Sequence, residues 1–153
     1  MKLEAADFAA LDDSQRSAVL EALVGALTAD GVVGPEEVAR FDQIVLAYPW
    51  GIKRDVLVAM VKGIKARLAE VKTPAQANDF VASITARLPS PALRDKLFAT
   101  MASLALADGQ INRKEAIALE LFMISFGITS ERMAAIKAAV TGKPATPVAP
   151  TGN

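Results

Sequence analysis

The sequence predicts an all-α protein, a single compact domain of about seven helices. Hydrophobic residues make up 52% of the chain, and 30 of its 153 residues are Ala, which has the highest helix propensity. Apolar residues recur at helical spacing, and no segment shows the strict alternation that a half-buried strand requires. A chain of this length corresponds to one domain with a core of its own.

Capping residues and helix breakers mark the ends of the predicted helices. Asp12 and Asp13 precede the first segment with helical spacing, and Gly31 follows it. Thr73 and Ser90 are each followed by Pro, which fits the first turn of a helix. Together with the apolar spacing, these signals predict helices over residues 14–29, 35–47, 53–71, 74–88, 91–107, 112–127 and 129–140.

The third predicted helix has the clearest amphipathic pattern. Its apolar face carries Leu57, Met60, Val61, Ile64, Leu68 and Val71. Four basic residues lie within about 80° of one another, away from that face, if the helix turns 100° per residue: Arg54, Lys62, Lys65 and Lys72. This basic stripe is a solvated surface, a docking face for an acidic partner or a weak phosphate contact.

The two ends of the chain differ in composition from the middle. Residues 1–13 form an N-terminal lead segment, residues 14–140 the helical domain, and residues 141–153 a tail rich in Pro, Thr and Gly that we expect to be flexible. The N-terminus lacks the apolar core of a signal peptide, and no apolar run approaches the roughly 20 residues that span a bilayer. We therefore expect a cytoplasmic protein without a membrane-inserted segment, and peripheral membrane association stays open.

The composition excludes several kinds of chemistry. The chain has neither Cys nor His, so it cannot form disulfides, a Ser–His–Asp triad or a zinc site built from those ligands. A metal ion would need oxygen ligands, which favours Ca²⁺ or Mg²⁺. The 17 basic and 17 acidic residues balance, so nucleic acid is not the favoured partner.

An internal repeat is the most informative feature of the sequence. Residues 29–37 read Ala-Asp-Gly-Val-Val-Gly-Pro-Glu-Glu, and residues 107–115 read Ala-Asp-Gly-Gln-Ile-Asn-Arg-Lys-Glu, at an offset of 78. Each copy stands between two predicted helices. The repeat therefore predicts two helix–loop–helix hairpins packed with pseudo-two-fold symmetry.

This doubled motif resembles the TerB family of tellurite-resistance proteins and the TerB-like domain of a DnaJ-type membrane co-chaperone. The resemblance covers about residues 14–140 and is closest at 105–111 and 126–129. It implies an all-helical, non-enzymatic domain linked to oxyanion or general stress resistance, which works through acidic surface residues and protein partners. The chain departs from this pattern in lacking the co-chaperone's membrane helix and in having Gly34-Pro35 in the first loop.

The repeated acidic loops have two interpretations. In the first, Gly ends one helix and Glu caps the next, so that each loop is a stiff corner. In the second, the loops resemble the latter half of an EF-hand loop and together hold a hard cation such as Ca²⁺ or Mg²⁺. The predicted ligands are Asp30, Glu37, Asp108 and Glu115, and Glu36 is an auxiliary acidic residue that, like the basic stripe, is a candidate for partner binding.

These observations favour a TerB-like interaction module with a protein partner and no enzymatic activity. One alternative is a structural adaptor that binds a partner's amphipathic helix in an apolar groove without metal. The other is an enzyme that uses paired carboxylates, for which Asp108 and Glu115 are the only plausible pair.

Overall fold

The computed structural model describes residues 2–28, 35–44, 46, 48–105 and 113–141. These residues form eight helices and contain no strand. This confirms the all-α prediction. The helices are α1 (Ala5–Ala9), α2 (Asp13–Leu27), α3 (Pro35–Ile44), α4 (Arg54–Ala69), α5 (Pro74–Arg87), α6 (Pro91–Ala105), α7 (Arg113–Phe126) and α8 (Ser130–Thr141).

Two helices, α2 and α6, form the centre of the fold. Every residue from Ala18 to Leu27 and from Leu97 to Ala105 is buried. The two helices pack on each other; α4, α5 and α7 also contact α2, and α3, α7 and α8 contact α6. Because both central helices have neighbours on several sides, they are apolar nearly all round instead of carrying one apolar stripe.

The predicted helix ends are confirmed where side chains cap the backbone. The Gln15 amide donates to Asp12 Oδ1 at 2.8 Å, and the Gln76 amide donates to Thr73 Oγ1 at 3.2 Å. In both places the glutamine side chain accepts a hydrogen bond from the capping residue's own amide, which completes a capping box. After α7, Gly127 has a φ of +71°, the left-handed conformation that commonly ends a helix.

The N-terminal segment contributes an eighth helix and part of the core, which the sequence analysis did not predict. Phe8 on α1 is fully buried, and its ring centroid lies 4.7 Å from that of Tyr48 and 4.9 Å from that of Trp50. The Leu3 amide donates to Thr100 Oγ1 at 3.0 Å, and the Tyr48 hydroxyl donates to the Leu3 carbonyl at 3.2 Å. The start of the chain is therefore fixed against α6 and the turn before α4.

Two pairs of helices begin 78 residues apart, which is the offset of the repeat. Asp13 and Pro91, which begin α2 and α6, are 78 residues apart, as are Pro35 and Arg113, which begin α3 and α7. Both acidic loops and the tail from residue 142 lie outside the described residues. The pseudo-two-fold arrangement of the hairpins stays a prediction.

A buried ion pair links α2 to α5, and a second arginine links α2 to α4. Glu21 on α2 is 4% exposed, and Arg87 on α5 binds both of its carboxylate oxygens at 2.8 Å. The Ser17 hydroxyl donates to the same carboxylate at 2.8 Å, and the Arg67 guanidinium on α4 lies 3.6 Å from it. Burial by itself raises the pKa of Glu21, but the hydrogen bonds from Arg87 and Ser17, together with the positive charges of Arg87 and Arg67, lower that pKa below its usual value.

Candidate functional site

An apolar groove of about 180 Å³ lies between the C-terminal end of α4, α5 and α7. Leu68 on α4, Phe80 on α5 and Leu121 on α7 line its walls, and Gly25 on α2 lies at its floor. The groove is open to the surface along one side because Phe80 and Leu121 are only partly buried.

The floor of this groove carries no side chain at Gly25. A Cβ atom at Gly25 would lie 3.3 Å from Phe80 Cε2 and 3.9 Å from Phe122 Cζ, so the absence of a side chain lets Phe80 pack closely on α2. Thr28 also lines the groove, and its hydroxyl donates to the Val24 carbonyl at 2.8 Å. With that hydroxyl bonded within its own helix, the floor favours apolar groups.

The α7 wall continues outward into an exposed apolar face. Ile117 is 52% exposed and Ile124 is 65% exposed, the two largest values among the exposed large hydrophobic residues of the described chain. Leu121 lies between them, so the three residues follow the i, i+4, i+7 spacing of a single helix face. Isolated exposed apolar residues are ordinary, but these three adjoin an apolar groove and extend it. We call the groove and this face together the docking surface.

Two residues of the basic stripe, Lys65 and Lys72, lie beside residues of α4 and the following turn that line the groove. Arg54, Lys62, Lys65 and Lys72 are all exposed, as predicted. Lys72 is not on the helix, because α4 ends at Ala69, and it lies in the turn to α5 beside Val71, which lines the groove. Lys65 is three residues before Leu68 and therefore lies on the same side of α4.

The predicted metal ligands cannot be placed. Asp30 and Asp108 lie outside the described residues; Glu37 on α3 and Glu115 on α7 have described backbones only, as does Glu36. Among the side chains that are described, no three acidic residues form a group able to hold a metal ion. The cation site and the carboxylate pair of Asp108 and Glu115 stay predictions.

The docking surface itself was missed in the sequence analysis, although α7 carries a signal for it. Leu119, Phe122 and Phe126 give α7 a complete buried face. Ile117, Leu121 and Ile124 form a second apolar face about half a turn away. A peripheral helix with two apolar faces can bury both only if something packs on each. Among the described residues, the fold covers the face of Leu119, Phe122 and Phe126 and leaves the second face exposed.

The family model for tellurite resistance protein TerB matches residues 10–138, which is 129 of the 153 residues. The chain belongs to the TerB family. No curated protein and no solved structure is significantly similar to it. The match includes the whole docking surface of this TerB domain and begins after α1. None of the described helices combines the length and apolar composition needed to cross a membrane.

Proposed function

We propose that this TerB domain is a non-enzymatic interaction module of the cytoplasm that binds a helix of a protein partner on its docking surface. Family membership supports a role in resistance to tellurite, to related oxyanions or to general stress. The observation that carries the proposal is the apolar groove at Leu68, Phe80 and Leu121, extended by the exposed Ile117 and Ile124.

The dimensions of the groove favour a helix over a small molecule. Its volume of about 180 Å³ is smaller than the roughly 300–1,000 Å³ of typical small-molecule pockets. A space of this size accepts a few apolar side chains of a helix that lies across it. Recognition of an amphipathic helix commonly uses anchors at i, i+3, i+4 and i+7 in such a groove.

The paired acidic loops supply a second candidate function. The repeated spacing of Asp30 and Glu37 with Asp108 and Glu115 supports a site for Ca²⁺ or Mg²⁺. Such a site and the docking surface are compatible, because an ion at the loops that precede α3 and α7 would stabilise the N-terminal end of α7.

A model peptide tests the docking surface. The probe is an 18-residue amphipathic helix with leucines on one face and uncharged polar residues on the other, labelled for fluorescence anisotropy. We expect saturable binding, with amide shifts in NMR spectra centred on Gly25, Phe80 and Leu121. Ile124→Asp should weaken binding about tenfold or more, because it places a carboxylate against the leucine face.

Val56→Asp is the matched control. Val56 is 45% exposed and lies on α4, and its position is about 120° around that helix from Leu68. This variant should bind the peptide as the unchanged protein does. Absence of binding, or amide shifts centred elsewhere, would contradict the proposed function.

A further inference from the structure

We propose that the helix bound on the docking surface is acidic along the flank that faces α4, where Lys65 and Lys72 border the groove. This inference rests on the proposed function and names the chemistry of the partner. It assigns Lys65 and Lys72 of the basic stripe to the same site as the groove.

The basic residues of the stripe have no acidic partner within the described part of the chain. Arg54, Lys62 and Lys65 form no ion pair or side-chain hydrogen bond within the described residues, and neither does the side chain of Lys72. Other basic residues are paired across the fold: Arg87 with Glu21, Lys96 with Asp7, and Arg132 with Asp95. Arg67 on α4 itself lies 3.6 Å from Glu21.

Two residues of the stripe lie beside residues that line the groove. Lys65 is about 4.5 Å along the helix axis and 60° around it from Leu68, which lines the groove. Lys72 follows Val71, another lining residue. Arg54, about 21 Å before Leu68 along the axis, and Lys62, about 120° around the helix from Leu68, lie farther from the groove.

The acidic residues near the groove lie on its far sides. Asp79 on α5 is exposed, and its position is about 100° around the helix from Phe80 and 160° from Ala77. Glu70 is about 160° around α4 from Leu68. On α7, exposed Glu120 lies on the outer side of the isoleucine face, away from the groove, and exposed Arg113 lies within about 20° of it around the helix. The docking surface is thus positive at its α4 edge, whereas its outer α7 edge carries charges of both signs.

The basic α4 edge indicates how a partner helix lies on the surface. Its apolar face contacts the groove and the isoleucines, and its carboxylates face Lys65 and Lys72. Charge complementarity of this kind contributes mainly to partner choice, orientation and association rate. It acts over roughly 8–10 Å at physiological ionic strength, so it depends on salt.

Two model peptides test the inference with the full-length chain. Both carry the same leucine face, and the flank next to α4 carries glutamates in one and lysines in the other. Fluorescence anisotropy at about 0.02 M and about 0.5 M salt gives the dissociation constants. We expect the glutamate peptide to bind at least about tenfold more tightly at low salt, with most of the difference lost at high salt.

Charge reversal provides the matched variants. Lys65→Glu combined with Lys72→Glu should reverse the preference between the two peptides. Lys53→Glu should leave it unchanged, because Lys53 is exposed but 15 residues, about 22 Å along the α4 axis, before Leu68. All three residues are exposed, so these variants should keep the fold.

The outcomes separate the inference from the proposed function. If both peptides bind equally and Ile124→Asp weakens both, the docking surface is confirmed, and the inference that the partner helix has an acidic flank is wrong. If the preference survives charge reversal at Lys65 and Lys72, the inference is likewise overturned. If neither peptide binds, the docking surface itself fails and the inference fails with it.

Discussion

Replacing Arg87 by Ala removes the principal partner of a buried carboxylate. Arg87 binds both oxygens of Glu21, whose side chain is 5% exposed, whereas the Arg87 side chain is 24% exposed. In Arg87→Ala, Glu21 keeps only the Ser17 hydroxyl at 2.8 Å and the exposed Arg67 guanidinium at 3.6 Å. Breaking a buried pair in this way typically costs 3–5 kcal/mol. We expect a loss of about 3 kcal/mol at pH 7, toward the lower end, because Arg87 is partly exposed.

The loss should depend on pH. In the unchanged protein the pKa of Glu21 is lowered, so its ionised form stabilises the fold above the unfolded pKa, and this contribution is lost as the pH falls. In Arg87→Ala, burial raises the pKa of Glu21, because the hydrogen bonds from Arg87 no longer oppose it. The carboxyl group then takes up a proton readily in acid, and the difference in stability between the two proteins shrinks as the pH falls toward about 4.

Urea denaturation at pH 7 and at about pH 4 measures this difference. Arg54→Ala is the matched control, since Arg54 is exposed and forms no ion pair within the described residues, and its effect should stay within about 0.5 kcal/mol. Glu21→Leu combined with Arg87→Met should recover most of the stability lost in Arg87→Ala, because it leaves no unpaired buried charge. A loss below about 1 kcal/mol, or an equal loss at both pH values, would refute the reasoning.

Two further predictions concern the acidic loops and the start of the chain. Millimolar Ca²⁺ or Mg²⁺ should stabilise the protein by about 1 kcal/mol or more, and Asp30→Ala or Asp108→Ala should remove that increment; a melting temperature unaffected by either ion would leave the loops as helix corners. Phe8→Ala should cost about 3–5 kcal/mol in denaturant unfolding and shift the fluorescence of Trp50, the only tryptophan, toward longer wavelength. An unchanged midpoint for Phe8→Ala would show that α1 does not contribute to the core.

The sequence by itself determined seven of the eight described helices and the caps at many of their ends. Asp12, Thr73 and Ser90 could be predicted as helix caps because each accepts a hydrogen bond from the amide three residues later. The apolar face of α4 could be predicted because helical spacing places Leu57 and Ile64 on one side, and both are buried. The doubled Ala-Asp-Gly motif was sufficient to indicate the TerB family, which the family model confirms.

Only the tertiary structure decided which residues meet across the fold. Glu21 stands in an apolar segment, and nothing local identifies Arg87, 66 residues later, as its partner. Phe8 belongs to a five-residue helix, too short for a periodic pattern, and its burial depends on Tyr48 and Trp50. The docking surface depends on how α4, α5 and α7 pack against α2, because packing determines which apolar side chains stay uncovered. Helix formation is set by neighbours within about four residues, whereas burial and charge pairing are set by residues distant in the chain.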